Sequence, residues 1–190
     1  MIASRHEVST SLHGAFLLAR LDRGGMAYFD RSETGFWKSF TAALLVYPAF
    51  LILLVLRVED AEWAASGAVR ILIVETIGYV IGWTAFPLIM LPISRFLGRD
   101  GHWLDFIVAY NWSQVLQYAL FLAATILAGT GAFPTSLASG IVAAAIVALL
   151  LYEWFVARVS LDTGAAGATM IVLVDLVLSE LISHVTDALH

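Results

Sequence analysis

Residues 34–57 read T-G-F-W-K-S-F-T-A-A-L-L-V-Y-P-A-F-L-I-L-L-V-L-R. Between Lys38 and Arg57 lie eighteen residues without a charge. A helix of that length crosses a bilayer hydrocarbon core of about 30 Å, at about 1.5 Å per residue. Polar and charged residues are frequent before this stretch, and most residues after it are apolar. We therefore interpret it as the first crossing of a multi-span membrane protein, which sets the direction of the later crossings.

The composition favours the same class of protein. Of the 190 residues, 61% are hydrophobic and 13% are charged, against about 45–50% and about 25% in soluble domains. A water-soluble chain of this length could not bury so much apolar surface, so we expect the lipid bilayer to cover part of it. The formal charge of -5, with ten lysines and arginines, argues against a nucleic-acid partner. Without cysteine, the chain forms neither disulfides nor thiolate metal sites.

Five apolar runs predict an all-α fold, a polytopic membrane helix bundle with five transmembrane helices. Residues 1–33 form a cytosolic leader, and residues 34–190 form the membrane domain. The predicted spans are residues 39–56, 69–93, 103–128, 137–157 and 168–185. In the second half of the fifth run, polar side chains share one broad helical face and apolar side chains share the other. This helix either crosses with its polar face against the bundle or lies at the surface, and we favour crossing.

The leader is predicted to contain a short amphipathic helix. Its apolar residues recur at spacings of three to four, as in a helix on a membrane surface: Val8, Leu12, Ala15, Phe16 and Ala19. A short helix packed under the bundle is the equal alternative. Gly24 and Gly25 are expected to end this helix. The spacing of Asp30 and Glu33 resembles a capping box, which predicts the start of the first membrane helix there.

The distribution of basic residues predicts the orientation. With five spans, one side of the membrane holds eight lysines and arginines, and the other side holds two. The first set is Arg5, Arg20, Arg23, Arg31, Lys38, Arg95, Arg99 and Arg158; the second is Arg57 and Arg70. Because cytoplasmic loops carry the excess of Lys and Arg, we expect a cytoplasmic N-terminus and an external C-terminus.

The second span carries a packing motif and a carboxylate. Gly78 and Gly82 match G-x-x-x-G, which lets another helix come close to the backbone. Packing within this chain is favoured, with a homodimer seam as the alternative. Glu75 follows Arg70 by five residues, near the outer end of the span. It is expected to reach the outer surface or pair with Arg70; the alternative is an ion or proton site.

Polar residues of three spans form a second candidate site. Asn111 and Gln114 lie on one face of the third span, Glu153 near the inner end of the fourth, and Asp175 within the fifth. By residue counting, Asn111 and Asp175 lie at a similar depth, about 10 Å beyond the cytoplasmic boundary. We predict that these four side chains converge as one polar cluster in the inner leaflet. The cluster is either a structural network or a site for conduction or ligand binding.

No pattern of catalytic or metal-binding residues is found in the sequence. The histidines are scattered, and none has the spacing of a known zinc motif. Glu180 and His184 are four residues apart near the outer surface, but two residues alone do not make a metal site. There is no nucleophile elbow, Walker loop or dinucleotide fingerprint. We therefore expect no enzyme activity and no cofactor.

The segment F-D-R-S-E-T-G-F-W-K-S-F-T-A-A, residues 29–43, resembles a stretch shared by uncharacterised alphaproteobacterial five-span inner-membrane proteins. Five helices with a cytoplasmic N-terminus also resemble the architecture of the Yip (Ypt-interacting protein) membrane-domain family. The D-L-Y-G-P-type signature of eukaryotic Yip proteins is missing, and only Gly78-Tyr79 matches their glycine-tyrosine element. These resemblances imply a bacterial inner (plasma) membrane protein that is not an enzyme and binds partners.

Two functions from different classes follow as hypotheses. The first is a non-enzymatic assembly, scaffold or membrane-organising component, such as an accessory subunit, acting as a homodimer or within a larger membrane complex. The alternative is a small ion- or proton-coupled transporter or channel that uses the intramembrane carboxyl groups of Glu75 and Asp175, with Pro48, Pro87 and Pro92 as helix breaks. A water-filled path joining Glu75 to Asp175 would favour transport, whereas a dry, closely packed interior would favour the scaffold.

Overall fold

The computed structural model describes residues 2–189. Over that range all regular elements are helices, eight of them α-helices. The α-helices are α1 (Arg5–Ala19), α2 (Glu33–Ser39), α3 (Thr41–Arg57), α4 (Asp60–Ser66), α5 (Ala68–Phe96), α6 (Trp103–Gly129), α7 (Thr135–Ser160) and α8 (Ala165–Asp187). Two short 3-10 helices, Arg23–Tyr28 and Asp100–His102, precede α2 and α6.

Five helical segments are long and apolar enough to cross a membrane. They are Glu33–Arg57, Ala68–Phe96, Asp100–Gly129, Thr135–Ser160 and Ala165–Asp187. Each extends a few residues beyond the predicted apolar run, because helical hydrogen bonding continues into the polar flanks. At most 28% of the residues in the most apolar window of any segment are buried within the chain. The protein is therefore a multi-pass membrane bundle whose outer surface needs lipid to cover it.

The first crossing consists of α2 and α3, separated by a turn at Phe40. The capping residue differs from the prediction, since Ser32 and not Asp30 caps α2. The Ser32 hydroxyl accepts a hydrogen bond from the Gly35 amide at 3.1 Å, while Asp30 accepts one from the Ser32 hydroxyl at 2.7 Å. The Asp30 carboxylate thus orients the residue that caps the helix. Pro48 lies inside α3, which continues through it.

The two ends of the bundle differ in packing. Helix α6 contacts α3, α7 and α1, while α5 packs chiefly against α8. Two large clusters of buried apolar side chains lie at the end where α1 sits, which we call the α1 end. The fully buried side chains there include Leu18, Phe86, Met90, Phe106, Val156, Leu161 and Ile171. At the opposite end, which we call the α4 end, the core is a small cluster of Leu54, Val58 and Ile71.

Helix α1 is present as predicted, and it packs against the bundle through a rotated face. Its buried residues are Ser11, Gly14, Ala15 and Leu18, while Phe16 is 49% exposed. Gly14 permits a close approach, because a Cβ there would lie 2.8 Å from the Gly25 carbonyl oxygen. The helix ends at Ala19, before Gly24 and Gly25, and Leu21 follows with a φ of 60°. Of the two predicted arrangements, a helix on the membrane surface or a helix packed under the bundle, the structure shows the second.

Polar contacts hold α1 in place. A capping box formed by Ser4 and Glu7 starts the helix. Glu7 also pairs with Lys38 of α2 at 2.5 Å, and the Tyr152 hydroxyl of α7 donates a hydrogen bond to the Ala15 carbonyl at 2.8 Å. Hydrogen bonding from Lys38 lowers the pKa of Glu7 to about 2. The leader is thus an integral part of the α1 end.

Candidate functional site

A cavity of about 600 Å³ lies between the five spanning helices. That volume is within the range of roughly 300–1,000 Å³ that is usual for small-molecule sites. The cavity extends from Arg57, the last residue of α3, to Asp175 near the middle of α8. All five spans contribute to its walls, and α7 contributes only Val142. The apolar core at the α4 end is small because this cavity occupies that part of the bundle.

Helical periodicity explains which side chains line the cavity. On α6 the lining residues follow one stripe at i, i+4, i+8, i+11 and i+15: Tyr110, Gln114, Tyr118, Phe121 and Thr125. On α8 they follow a second stripe: Asp175, Leu178, Ser179, Ile182, Ser183 and Thr186. The polar face of the fifth span therefore turns into the bundle. Glu180 and His184 lie off this stripe and are exposed.

A group of ion pairs lies at the α4 end of the cavity. The Arg57 guanidinium of α3 is 2.7 Å from Glu75 Oε1 of α5 and 2.9 Å from Asp187 Oδ1 of α8. It also donates a hydrogen bond to the Ser183 hydroxyl at 3.4 Å. The Glu75 side chain is 7% exposed, and that of Arg57 is 43% exposed. One cation therefore joins three helices where the cavity reaches the end of the bundle.

The partner of Glu75 differs from the predicted one. Arg70 donates two hydrogen bonds, at 2.6 and 3.0 Å, to the Leu189 carbonyl at the C-terminus. Five residues separate Arg70 from Glu75, which places their side chains about 140° apart around α5. Glu75 consequently faces the bundle, where Arg57 reaches it, and Arg70 lies on another face.

The deep end of the cavity carries Asp175. Its Oδ1 accepts a hydrogen bond from the Tyr110 hydroxyl of α6 at 2.9 Å. The Glu153 carboxyl group of α7 interacts electrostatically with that of Asp175. The Glu153 residue is 5% exposed, and its Oε1 has no hydrogen-bond partner within residues 2–189. Two carboxyl groups from neighbouring helices therefore lie together deep in the bundle.

The predicted polar cluster is only partly brought together. Gln114 lines the cavity with Asp175, and Glu153 lies close to Asp175. Asn111 lies outside the cavity lining; its side-chain amide donates to the Ser39 hydroxyl at 2.8 Å. Asn111 therefore connects α6 to the turn between α2 and α3. The cluster around Asp175 has Tyr110 where Asn111 was expected.

The two glycines of the second span face α8 of the same chain. A Cβ on Gly78 would lie 2.5 Å from Thr186 Cγ2, which is too close for any real contact. A Cβ on Gly82 would lie 3.7 Å from Ile182 Cδ1, an ordinary contact. The motif thus permits close packing of α5 against α8, and both glycines also border the cavity.

Aromatic rings form much of the remaining wall. Of the 22 lining residues six are aromatic: Phe50, Tyr79, Trp83, Tyr110, Tyr118 and Phe121. The Phe50 and Tyr79 ring centroids lie 4.6 Å apart, and those of Tyr79 and Trp83 lie 6.0 Å apart. The Tyr79 hydroxyl donates to the Ala43 carbonyl at 2.6 Å, which fixes this ring between α3 and α5.

Sequence reasoning missed two residues of this site, Arg57 and Tyr110. Arg57 was counted only as the charge that ends the first span, although its guanidinium pairs with buried Glu75. Tyr110 begins the α6 stripe, and the spacing of Tyr110, Gln114 and Tyr118 carries the signal that identifies it. Both side chains are amphipathic. Hydropathy therefore assigns Arg57 to the end of a span and Tyr110 to the core, and it overlooks their hydrogen-bonding groups.

In the part of the chain that the structure describes, no group of three or more His, Asp or Glu residues could hold a metal ion. Comparison with known proteins adds no relative, because no family model, curated protein or solved structure matches this chain. The resemblances to alphaproteobacterial five-span proteins and to the Yip family stay predictions.

Proposed function

We propose that the protein is a small ion- or proton-coupled transporter that uses the carboxyl groups of Glu75 and Asp175. One observation carries this proposal: both residues line a single cavity that all five spanning helices enclose. Carboxyl groups within a membrane domain are costly and commonly mark ion or proton pathways. In a bundle whose interior was packed with apolar side chains, the two carboxyl groups would not line a common cavity.

The arrangement of charges suits coupled transport. Glu75 pairs with Arg57 at the α4 end, so its charge is compensated within the protein. Asp175 has a neutral hydroxyl donor, Tyr110, and a second carboxyl group, Glu153, close by. An acid in this setting can exchange a proton for a solute cation, because either species compensates its charge. Asp175 is therefore the exchange site, and the Arg57–Glu75 pair lies on the route to it.

The orientation of the cavity follows from the basic residues. The side with eight lysines and arginines is the α1 end, where the buried apolar clusters lie. The positive-inside rule supports a cytoplasmic α1 end in a bacterial inner membrane. The cavity then opens towards the outside, and Glu153 lies between Asp175 and the cytoplasmic half of the bundle. Transport would require the packed α1 end to open in a second conformation.

Proton flux in liposomes tests this proposal. The purified protein is reconstituted into vesicles that contain a pH-sensitive dye, and a proton gradient is imposed. We expect the gradient to decay faster than in empty vesicles when sodium, potassium or an organic cation is supplied on the opposite side. D175N should lose this flux. E180Q should retain it, because Glu180 is an exposed carboxylate on the same helix outside the cavity lining.

A wild-type protein that leaves the gradient unchanged with every cation would contradict transport. Co-purification of that inactive protein with a larger membrane complex would favour the assembly or scaffold hypothesis. Flux that persists in D175N at the wild-type rate would also contradict the proposal, since the exchange site would then lie elsewhere.

A further inference from the structure

We propose that the cavity binds a lipophilic organic cation, a single positive charge on an apolar or aromatic body. This inference deepens the proposed function, because it names the solute class that the same cavity would carry. It rests on three features of the site: the balance of charge, the aromatic wall and the distribution of polar groups along the cavity.

The balance of charge favours a monocation. One basic and two acidic side chains line the cavity: Arg57, Glu75 and Asp175. The first two form an ion pair at 2.7 Å, which leaves the charge of Asp175 uncompensated by any cation in residues 2–189. Tyr110 donates a hydrogen bond to Asp175 but brings no charge. A bound cation beside Asp175 would offset the charge of this carboxylate, and a bound anion would add a second negative charge next to it.

The aromatic wall favours an organic cation over a metal ion. Cations are attracted to the faces of Trp and Tyr rings within about 6 Å, and sites for quaternary ammonium groups are commonly built from such rings. Trp83 and Tyr79 lie on α5, and Tyr118 faces the cavity from α6. A metal ion needs several oxygen ligands at close range, whereas this wall offers mainly ring faces and aliphatic side chains.

The distribution of polar groups indicates how the ligand lies. The charged groups of the lining lie at the two ends of the cavity, around Arg57 and around Asp175. Phe50, Phe121 and Leu178 occupy the walls between them. A solute with its charge at Asp175 and its apolar body along these walls satisfies both regions. Small hydrated ions would leave the apolar walls in contact with water.

Two probes of matched shape and opposite charge test the inference. Tetraphenylphosphonium is the cation, and tetraphenylborate is the anion of nearly the same size. Each is titrated into the full-length protein in dodecylmaltoside micelles, and binding is measured by calorimetry, with protein-free micelles as the blank. We expect saturable binding of the phosphonium and at least tenfold weaker binding of the borate. D175N should weaken phosphonium binding at least tenfold, and E180Q should leave it unchanged.

A second variant keeps the test valid if D175N fails to fold. W83L removes a ring face while retaining an apolar side chain, and we expect phosphonium binding to weaken about threefold to tenfold. Circular dichroism and size-exclusion profiles establish that each variant is folded. Equal binding of both probes would overturn the inference, and so would wild-type affinity in W83L or in folded D175N.

The two proposals fail in different ways. Proton flux driven by sodium or potassium, without phosphonium binding, would overturn the organic-cation inference and leave the transporter proposal standing. Phosphonium binding that needs Asp175 and Trp83, without any cation-dependent flux, would support a cation-binding site and overturn transport.

Discussion

Substitution by alanine should affect stability differently at the two glycines of the second span, Gly78 and Gly82. A Cβ at Gly78 would lie 2.5 Å from Thr186 Cγ2, whereas a Cβ at Gly82 would lie 3.7 Å from Ile182 Cδ1. The Thr186 methyl group cannot easily move aside. Its side chain is β-branched and 5% exposed, and its hydroxyl donates a hydrogen bond to the Ser183 carbonyl at 3.0 Å.

The expected magnitude follows from two opposing terms. An extra methyl group in a closely packed site costs about 1–3 kcal/mol. Replacing a helical glycine by alanine contributes about 0.5–1 kcal/mol of stability, because the unfolded chain loses conformational freedom. G78A should therefore destabilise the protein by about 0.5–2 kcal/mol. G82A should be neutral or stabilise it by up to about 1 kcal/mol, since only the second term applies.

The measurement is reversible unfolding in mixed micelles of dodecylmaltoside and dodecyl sulfate, followed by circular dichroism. T186S provides a rescue, because it removes the obstructing methyl group and keeps the hydroxyl that binds Ser183. The double variant G78A/T186S should be at least as stable as T186S alone. Equal stability of G78A and G82A, or a G78A penalty that T186S does not relieve, would refute the proposed contact between α5 and α8.

Two further predictions concern charged contacts. In a double-mutant cycle, R57M and E75Q should show a coupling of about 1–2 kcal/mol, because Glu75 is buried while Arg57 is 43% exposed and partly screened by its surroundings. A coupling under about 0.3 kcal/mol in the same unfolding assay would contradict this. Lys38 lowers the pKa of Glu7 from 4.5 to about 2. The contribution of this pair to folding stability is therefore present above about pH 4.5 and is lost as the pH falls towards 2. Hydrogen-exchange protection of α1 should therefore fall across that range in the wild type, and E7Q should show no such step; an unchanged step in E7Q would assign it to another group.

Much of the fold could be predicted from hydropathy alone. The five spans were found because an uncharged run of about twenty residues has few alternatives to crossing a bilayer. The inward-facing polar side of α8 was also predictable, since polar residues at helical spacing cannot face lipid at low cost. Asp175, on this side of α8, accepts a hydrogen bond from the Tyr110 hydroxyl of α6.

The pairings between helices could not be predicted in the same way. The sequence places Arg70 five residues from Glu75, but the actual partner, Arg57, lies on a different helix. Asn111 was grouped with Asp175 by depth, yet its side-chain amide donates a hydrogen bond to Ser39 of α2, and the neighbouring Tyr110 is the residue of α6 that reaches Asp175. Depth along the membrane can be counted from a sequence. Rotation about each helix axis and the choice of neighbouring helix depend on packing of the whole chain.

The attachment of α1 has a consequence for biosynthesis. Tyr152, whose hydroxyl binds the Ala15 carbonyl, is added to the chain 137 residues after Ala15. At about 5–20 residues per second, the ribosome needs roughly 7–27 s to reach it. During that interval the leader meets first Lys38 of α2 and then α6, and until its docking surface is complete the headgroup layer of the bilayer is the nearest place for its apolar face. Newly made chains should therefore pass through a stage in which the leader rests on lipid, and docking of the leader is complete only after the fourth span is inserted.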